Sequence, residues 1–166
     1  YGQLATVFAQ LFFVRKSHWL SLAYVYSIFF FSYLARPIGS FIYGYIGDYF
    51  GRRASLLLSI TMMNITMLGM VLMPTWKTIG DFAPVLLLIF RIMQGISAGG
   101  ETAGAFVYIL ESVDPKRKGL YGSAIWAMTV AGALIGATVI ALLTQILSHS
   151  QLLGWGWRLA YIIGIG

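Results

Sequence analysis

Long apolar stretches alternate with short polar clusters along the chain. Each complete stretch is long enough to cross about 30 Å of hydrocarbon as a helix, at about 1.5 Å per residue. Runs of about ten alternating residues, which membrane β-strands would need, do not occur. The pattern therefore predicts membrane-spanning helices over about 19–47, 54–73, 82–110 and 119–147, with partial helices over about 1–14 and from about 157.

Composition indicates that lipid surrounds these helices. Hydrophobic residues make up 59% of the 166 residues and charged residues only 10%, whereas soluble domains carry about 25% charged residues. Both ends of the sequence lie inside apolar runs, and no charged leader with a small-residue cleavage site is present. We expect an all-α, multi-pass membrane protein, truncated within its first and sixth helices.

The net charge of +6 changes this interpretation little. In a soluble protein it would suggest nucleic acid, but here the cations flank the predicted helices, as is typical of membrane loops. The loops after the second and fourth helices carry five cations and the opposite side carries four, which favours a cytoplasmic location for the first set. The first set consists of Arg52, Arg53, Lys116, Arg117 and Lys118. The opposite side carries Arg15, Lys16, Lys77 and Arg158. With no cysteine and no metal-ligand pattern, we expect lipid as a partner and no nucleic acid, metal or cofactor.

Charged residues inside the predicted helices are the candidates for function, because a charge in hydrocarbon is costly. Arg36 lies near the middle of the second helix, and Arg91 and Glu101 lie within the fourth. One interpretation is structural, with ion pairs or bonds to backbone carbonyls. The other is a water-filled pathway that exposes these charges to a solute or a proton. Arg91 is about two turns inside its helix, from where its side chain could also extend to the interface.

The spacing in the fourth helix constrains which side chains can meet. Arg91 and Glu101 are ten residues apart and point about 80° apart, so we do not expect them to pair. Gln94 and Glu101 are seven apart and share a face, so Gln94 could hydrogen-bond beside the carboxyl group. A carboxyl group balanced between burial and a nearby arginine can bind and release a proton. We therefore expect Glu101 to be a proton carrier.

Small residues recur at a spacing of four, which lets helix backbones approach closely in lipid. This spacing predicts a tightly packed bundle and indicates no function by itself. The sets are Ser40, Gly44 and Asp48; Gly95, Gly99 and Thr102 or Ala103; and Gly132 and Gly136.

The most specific local pattern is the segment Gly44-Tyr45-Ile46-Gly47-Asp48-Tyr49-Phe50-Gly51-Arg52-Arg53. Gly44 and Gly47 permit close helix contact, and Gly51 is free to adopt a positive φ in a tight turn. Asp48 is positioned to pair with a cation at the membrane face. This segment resembles the signature loop between the second and third helices of the major facilitator superfamily.

Further segments narrow the resemblance to the metabolite:proton symporter family of that superfamily, which includes proline/betaine, α-ketoglutarate, citrate and shikimate transporters. They are Arg36-Pro37-Ile38-Gly39, Arg91-Ile92-Met93-Gln94-Gly95, Gly99-Gly100-Glu101, Glu111 with Asp114-Pro115-Lys116-Arg117-Lys118-Gly119, and Trp155-Gly156-Trp157-Arg158. Two residues depart from the family pattern. Tyr49 stands where a basic residue is common, and Ala160 stands where proline is usual.

The resemblance implies a bacterial inner-membrane protein of twelve helices in two halves, of which this chain is the first, with alternating access to a central site. It also implies that Asp48, Arg52 or Arg53, and Glu111 form a charge network that holds one conformation, and that Arg91 and Glu101 contact the solute or proton. The expected function is proton-coupled uptake of a small organic acid or zwitterion, such as proline, betaine or a dicarboxylate. A uniporter or antiporter of the same superfamily, an intramembrane enzyme and a structural membrane subunit are the alternatives.

Overall fold

The structure, a computed structural model, describes residues 4–13 and 17–165, apart from the side chain of His18. Within these ranges all regular secondary structure is helical. The α-helices are α1 (Ala5–Phe12), α2 (His18–Phe50), α3 (Arg52–Leu72), α4 (Trp76–Ile79), α5 (Phe82–Ser112), α6 (Lys118–Ile146), α7 (His149–Gln151) and α8 (Trp157–Ile163). A 3₁₀ turn (Pro115–Arg117) precedes α6, and a π-helical turn (Leu152–Gly156) precedes α8.

Four helical segments are long and apolar enough to cross a membrane: Trp19–Phe50, Arg52–Leu72, Phe82–Ser112 and Pro115–Ile146. They correspond to the four complete helices predicted from the apolar pattern. Part of the predicted first helix, at residues 1–3 and 14, lies outside the described residues, as do Arg15 and Lys16.

The reversal between α2 and α3 is tighter than the sequence suggested. The predicted turn covered residues 48–53, whereas α2 continues to Phe50 and Gly51 alone separates it from α3. Gly51 has a φ of +93°, the positive φ that the sequence analysis expected at this turn. As a result Asp48 lies on the last turn of α2, one turn before Arg52 at the start of α3.

Helices α2 and α5 run parallel and pack closely. The hydroxyl of Ser32 donates to the carbonyl oxygen of Arg91 (2.7 Å), and that of Ser40 donates to the carbonyl oxygen of Gly99 (3.0 Å); both pairs are 59 residues apart. A Cβ atom added to Gly95 would lie 2.0 Å from the carbonyl oxygen of Ser32. The small residues predicted in α5 therefore do allow the backbones to touch.

The small residues predicted in α6, Gly132 and Gly136, behave differently. No residue of α6 is buried by the described chain, and a Cβ atom at Gly132 or Gly136 would meet no described atom within 4 Å. These two glycines line an open apolar groove between α6 and α8. The prediction that they lie in a tight helix contact is wrong for the described residues, because α6 makes few contacts with its neighbours.

An aromatic core joins α1 to α8 and positions the buried end of α5. Phe8 and Phe12 of α1 and Trp157 of α8 have no measurable exposure. The Trp157 ring meets both phenylalanine rings edge-on at centroid distances of 6.0 Å. Tyr161, one turn along α8, lies against the same cluster, 6.3 Å from Phe8.

Candidate functional site

Arg91 is buried at the meeting point of α1, α2, α5 and α8, with 2% of its surface exposed. Its Nη1 donates to Oε1 of Gln94 at 3.1 Å, and its Nη2 donates to the hydroxyl of Tyr161 in a short hydrogen bond. The idea that Arg91 extends to the membrane interface is wrong, because its polar partners lie inside the bundle.

Aromatic rings surround the same guanidinium group. Its central carbon lies 5.3 Å from the ring centre of Phe8, 5.1 Å from that of Phe29 and 5.7 Å from that of Tyr161. Cation–π attraction reaches about 2 kcal/mol or more when the cation is desolvated, which offsets part of the cost of burial. The carbonyl oxygen of Arg91 also accepts a hydrogen bond from Ser32 of α2, so both the backbone and the guanidinium group of this residue have fixed partners.

Gln94 is buried beside Arg91 and is only partly satisfied. Its Oε1 accepts from Arg91, whereas its Nε2 has no hydrogen-bond partner among the described residues. The expectation that Gln94 bonds beside Glu101 is wrong in this structure, because the nearer i, i+3 neighbour on the helix takes its acceptor. An unsatisfied buried donor costs about 1–3 kcal/mol. An acceptor atom arriving from outside the described chain would remove that cost.

Glu101 and Arg36 lie apart from this cluster. The Glu101 carboxyl group is half-buried, and it forms no hydrogen bond or ion pair with any residue that the structure describes. Arg36 is exposed and stacks on Tyr33, with 4.2 Å between its guanidinium carbon and the ring centre. The structural interpretation of Arg36, a side-chain bond to a carbonyl or carboxylate, finds no support among residues 4–13 and 17–165.

The signature loop brings three charged side chains together at the other end of the helices. Arg52 Nη1 lies 2.8 Å from Oδ1 of Asp48, and Arg52 Nε donates to Oε2 of Glu111 at 3.3 Å. Arg52 thus connects the end of α2 to the end of α5. A Cβ atom at Gly47 would lie 3.3 Å from Arg52 Nη1, so this glycine leaves room for the guanidinium group.

The remaining loop candidates contribute less to this cluster. The sequence left open whether Arg52 or Arg53 pairs with the acidic residues, and the geometry selects Arg52, since Arg53 is exposed and forms no ion pair with a described residue. A Cβ atom at Gly44 would meet no described atom within 4 Å. The close helix contact expected there is therefore absent from the part of the chain that the structure describes.

The chain matches known proteins over nearly its full length. A family model described as "Sugar (and other) transporter" covers residues 3–165. The chain belongs to this transporter family of the major facilitator superfamily. Membership confirms the superfamily resemblance of the signature loop and identifies a multi-pass membrane protein that is not an enzyme.

Relatives of this transporter-family chain carry names of solute transporters. It is 41% identical over 134 residues to a Staphylococcus haemolyticus protein named "Putative proline/betaine transporter". The matched region covers 81% of this chain and 29% of that protein. It is 33% identical over 165 residues to the proline/betaine transporter of Escherichia coli K12. The matched region covers 99% of this chain and 33% of that protein. The chain thus spans about a third of the length of these relatives. No solved structure matches it.

Three aromatic contributors to the site escaped the sequence analysis of this transporter-family chain. Phe8, Phe29 and Tyr161 carry no charge, so neither the search for intramembrane charges nor the spacing rules selected them. The only available signal was that aromatic residues often accompany buried cations. Within the described ranges, no three His, Asp or Glu side chains come together as metal ligands would.

Proposed function

We propose that the chain forms the first half of a proton-coupled symporter that takes up a small solute bearing a carboxylate group. The observation that carries this proposal is the buried guanidinium group of Arg91 beside Gln94, whose Nε2 lacks an acceptor among the described residues. A planar guanidinium and an amide NH₂ together present several donors, which suit the two oxygens of a carboxylate.

The relatives favour a zwitterion over a dicarboxylate. Their names specify proline and betaine, and each of these solutes carries a single carboxylate. One solute carboxylate would face the Arg91 and Gln94 donors, while the cationic end would need aromatic faces or an anion elsewhere. Arg36 and Tyr33 lie exposed on α2 and would contribute to the pathway from that side.

Glu101 is proposed to carry the proton. The carboxyl group is half-buried on a membrane-spanning helix, and no described hydrogen-bond donor fixes it in the ionised form. Such a group can change its protonation state when its exposure to water changes. Alternating access supplies that change, because the pathway opens first to one side of the membrane and then to the other.

The proposed conformational switch is the cluster of Asp48, Arg52 and Glu111. These side chains connect the ends of α2 and α5 to the start of α3 at one membrane face. The pairs are partly exposed, so each contributes little energy and can break and re-form during a transport cycle. The second wall of the pathway would come from helices beyond this chain, with lipid around the outside.

The test is solute uptake by the full-length protein in lipid vesicles under an imposed proton gradient. The panel contains proline, betaine, dicarboxylates, citrate and aromatic acids. We expect proline or betaine to accumulate when the outside is acidic, and a protonophore to abolish the accumulation. Accumulation that follows a sodium gradient instead would refute proton coupling. No gradient-dependent accumulation of any solute would refute symport.

A further inference from the structure

Arg158 binds the end of one helix to the beginning of another. Its Nε donates to the carbonyl oxygen of Val71 (2.8 Å) and its Nη2 to that of Met73 (3.1 Å), both at the C-terminal end of α3. Its Nη1 donates to the carbonyl oxygen of Gly154 (3.0 Å) in the π-helical turn before α8. Three nitrogen atoms of one side chain therefore satisfy three carbonyl groups from two elements.

The two carbonyl groups at the end of α3 need a donor from outside that helix. The last carbonyls of an α-helix have no partner within the helix, and a cation near that end is electrostatically favourable. The planar guanidinium group offers several donors in fixed directions, whereas a lysine ammonium group is a single point of charge. One arginine can therefore make all three bonds at once, and the two bonds to Val71 and Met73 hold the start of α8 against the end of α3.

The attachment of Arg158 to α3 constrains where the side chain of Tyr161 lies. Tyr161 lies three residues after Arg158, within the seven-residue helix α8. Its hydroxyl group accepts the hydrogen bond from Arg91. Trp157, beside Arg158, has no measurable exposure and holds the same helix against α1. A rotation of α8 that released Arg158 from α3 would also carry the Tyr161 hydroxyl away from Arg91.

We propose that Arg158 is a positioning residue, which fixes the start of α8 on the end of α3 and thereby holds the Tyr161 hydroxyl on Arg91. Arg158 touches neither the proposed solute position nor Glu101. Its effect on transport would pass through Tyr161, and that part of the inference depends on the proposed function of Arg91.

The first test measures the position of α8 without using transport. Ala160 is half-buried on α8, and this chain has no cysteine, so Ala160→Cys in a cysteine-free full-length protein reports exposure through its labelling rate with a water-soluble maleimide. Adding Arg158→Gln should raise that rate roughly tenfold, the change in local opening that loss of a charged hydrogen bond gives. Lys77→Gln, which removes an exposed cation just beyond the same end of α3, should leave the rate unchanged.

A second variant guards against misfolding. If Arg158→Gln is not monodisperse in detergent, Arg158→Lys serves in its place, because lysine keeps the charge but cannot span three carbonyls. An increase in labelling smaller than that expected for glutamine, but clearly above the Lys77→Gln control, supports the proposal. A labelling rate equal to that of the parent protein in a folded Arg158 variant overturns it.

Uptake kinetics then test whether the effect passes through Tyr161. Arg158→Gln and Tyr161→Phe should each raise the KM for the solute by roughly tenfold. If Arg158 acts through Tyr161, the double variant should also raise the KM roughly tenfold and no further, because the effects of coupled residues do not add. A hundredfold rise would mean independent effects and would overturn the proposal. Increased labelling with an unchanged KM in both single variants would uphold the positioning of α8 and refute the role of Arg91.

Discussion

The hydroxyl of Tyr161 accepts a hydrogen bond from Nη2 of Arg91, across 70 residues of sequence. The contact ties the short helix α8 to the first third of α5. It also gives the buried guanidinium group a neutral hydrogen-bond partner on α8, in addition to Gln94 on its own helix.

Arg91→Lys should weaken solute binding while the protein remains folded. Lysine keeps the positive charge but cannot reach Gln94 and Tyr161 at once. Loss of a charged hydrogen bond costs about 1.5–3 kcal/mol, which corresponds to roughly 10- to 150-fold in affinity. The KM of uptake and direct solute binding to the purified protein would measure this loss.

Arg53→Lys provides the matched control, because that arginine is exposed and forms no ion pair with a described residue. Equal affinities in the two variants would contradict a role for Arg91 in binding.

Glu101→Gln should separate proton coupling from solute movement. Glutamine has nearly the same shape as glutamate but cannot release a proton, so gradient-driven accumulation should fall to background. Solute exchange between the two sides of the vesicle should continue, because it needs no net proton transfer. Counterflow of labelled proline or betaine would measure that exchange. Loss of both activities in a correctly folded variant would show that the carboxyl group has no special part in coupling.

The sequence predicted the helical spans because hydropathy over about 20 residues depends on the chain alone. The positive φ of Gly51 was also predictable, because a tight reversal between two helices favours the residue without a Cβ atom. The hydrogen-bond partners of Arg91 were not predictable from the sequence. Gln94 shares faces with both Arg91 and Glu101, so spacing allowed either pairing. Tyr161 reaches Arg91 only because α8 packs against α1, which is a tertiary contact.

The same limit applies to Arg158. Its charge predicted a location near a membrane face, but the three carbonyl groups that it binds belong to distant segments of the chain. A helix end offers no sequence signal for a donor that comes from another element. Gly132 and Gly136 illustrate the reverse error. Their spacing is as favourable for helix packing as that of Gly95 and Gly99, yet no described helix occupies the space beside them.

Arg52→Gln should slow transport more than Arg53→Gln, although both remove one cation from the same loop. Only Arg52 bridges Asp48 and Glu111. Exposed ion pairs contribute about 0–1 kcal/mol, which corresponds to a change of up to about fivefold in a conformational equilibrium. We expect that change in the maximal uptake rate, with thermal stability almost unaltered, and a similar effect for Glu111→Gln. Equal rates for the Arg52 and Arg53 variants would exclude the proposed switch.

Gly99→Ala should destabilise the protein, because α2 and α5 leave no room for a methyl group. A Cβ atom at Gly99 would lie 2.1 Å from the carbonyl oxygen of Arg36, a backbone atom that cannot move aside without displacing α2. Overpacking of this kind costs about 1–3 kcal/mol. The cost would appear as a lower melting temperature in detergent and, because α2 carries Arg36 and α5 carries Glu101, as reduced uptake.

Gly104→Ala is the matched control on the same helix. A Cβ atom there would lie 3.7 Å from Cδ1 of Leu56, an ordinary van der Waals distance. Alanine favours helix over glycine by about 1 kcal/mol, so this variant should be as stable as the parent protein or slightly more stable. The same gain acts at Gly99 and opposes the clash, so the difference between the two melting temperatures isolates the cost of separating α2 from α5. If the two variants melted together, the backbones would not be in contact, and the parallel pairing of α2 with α5 would be wrong.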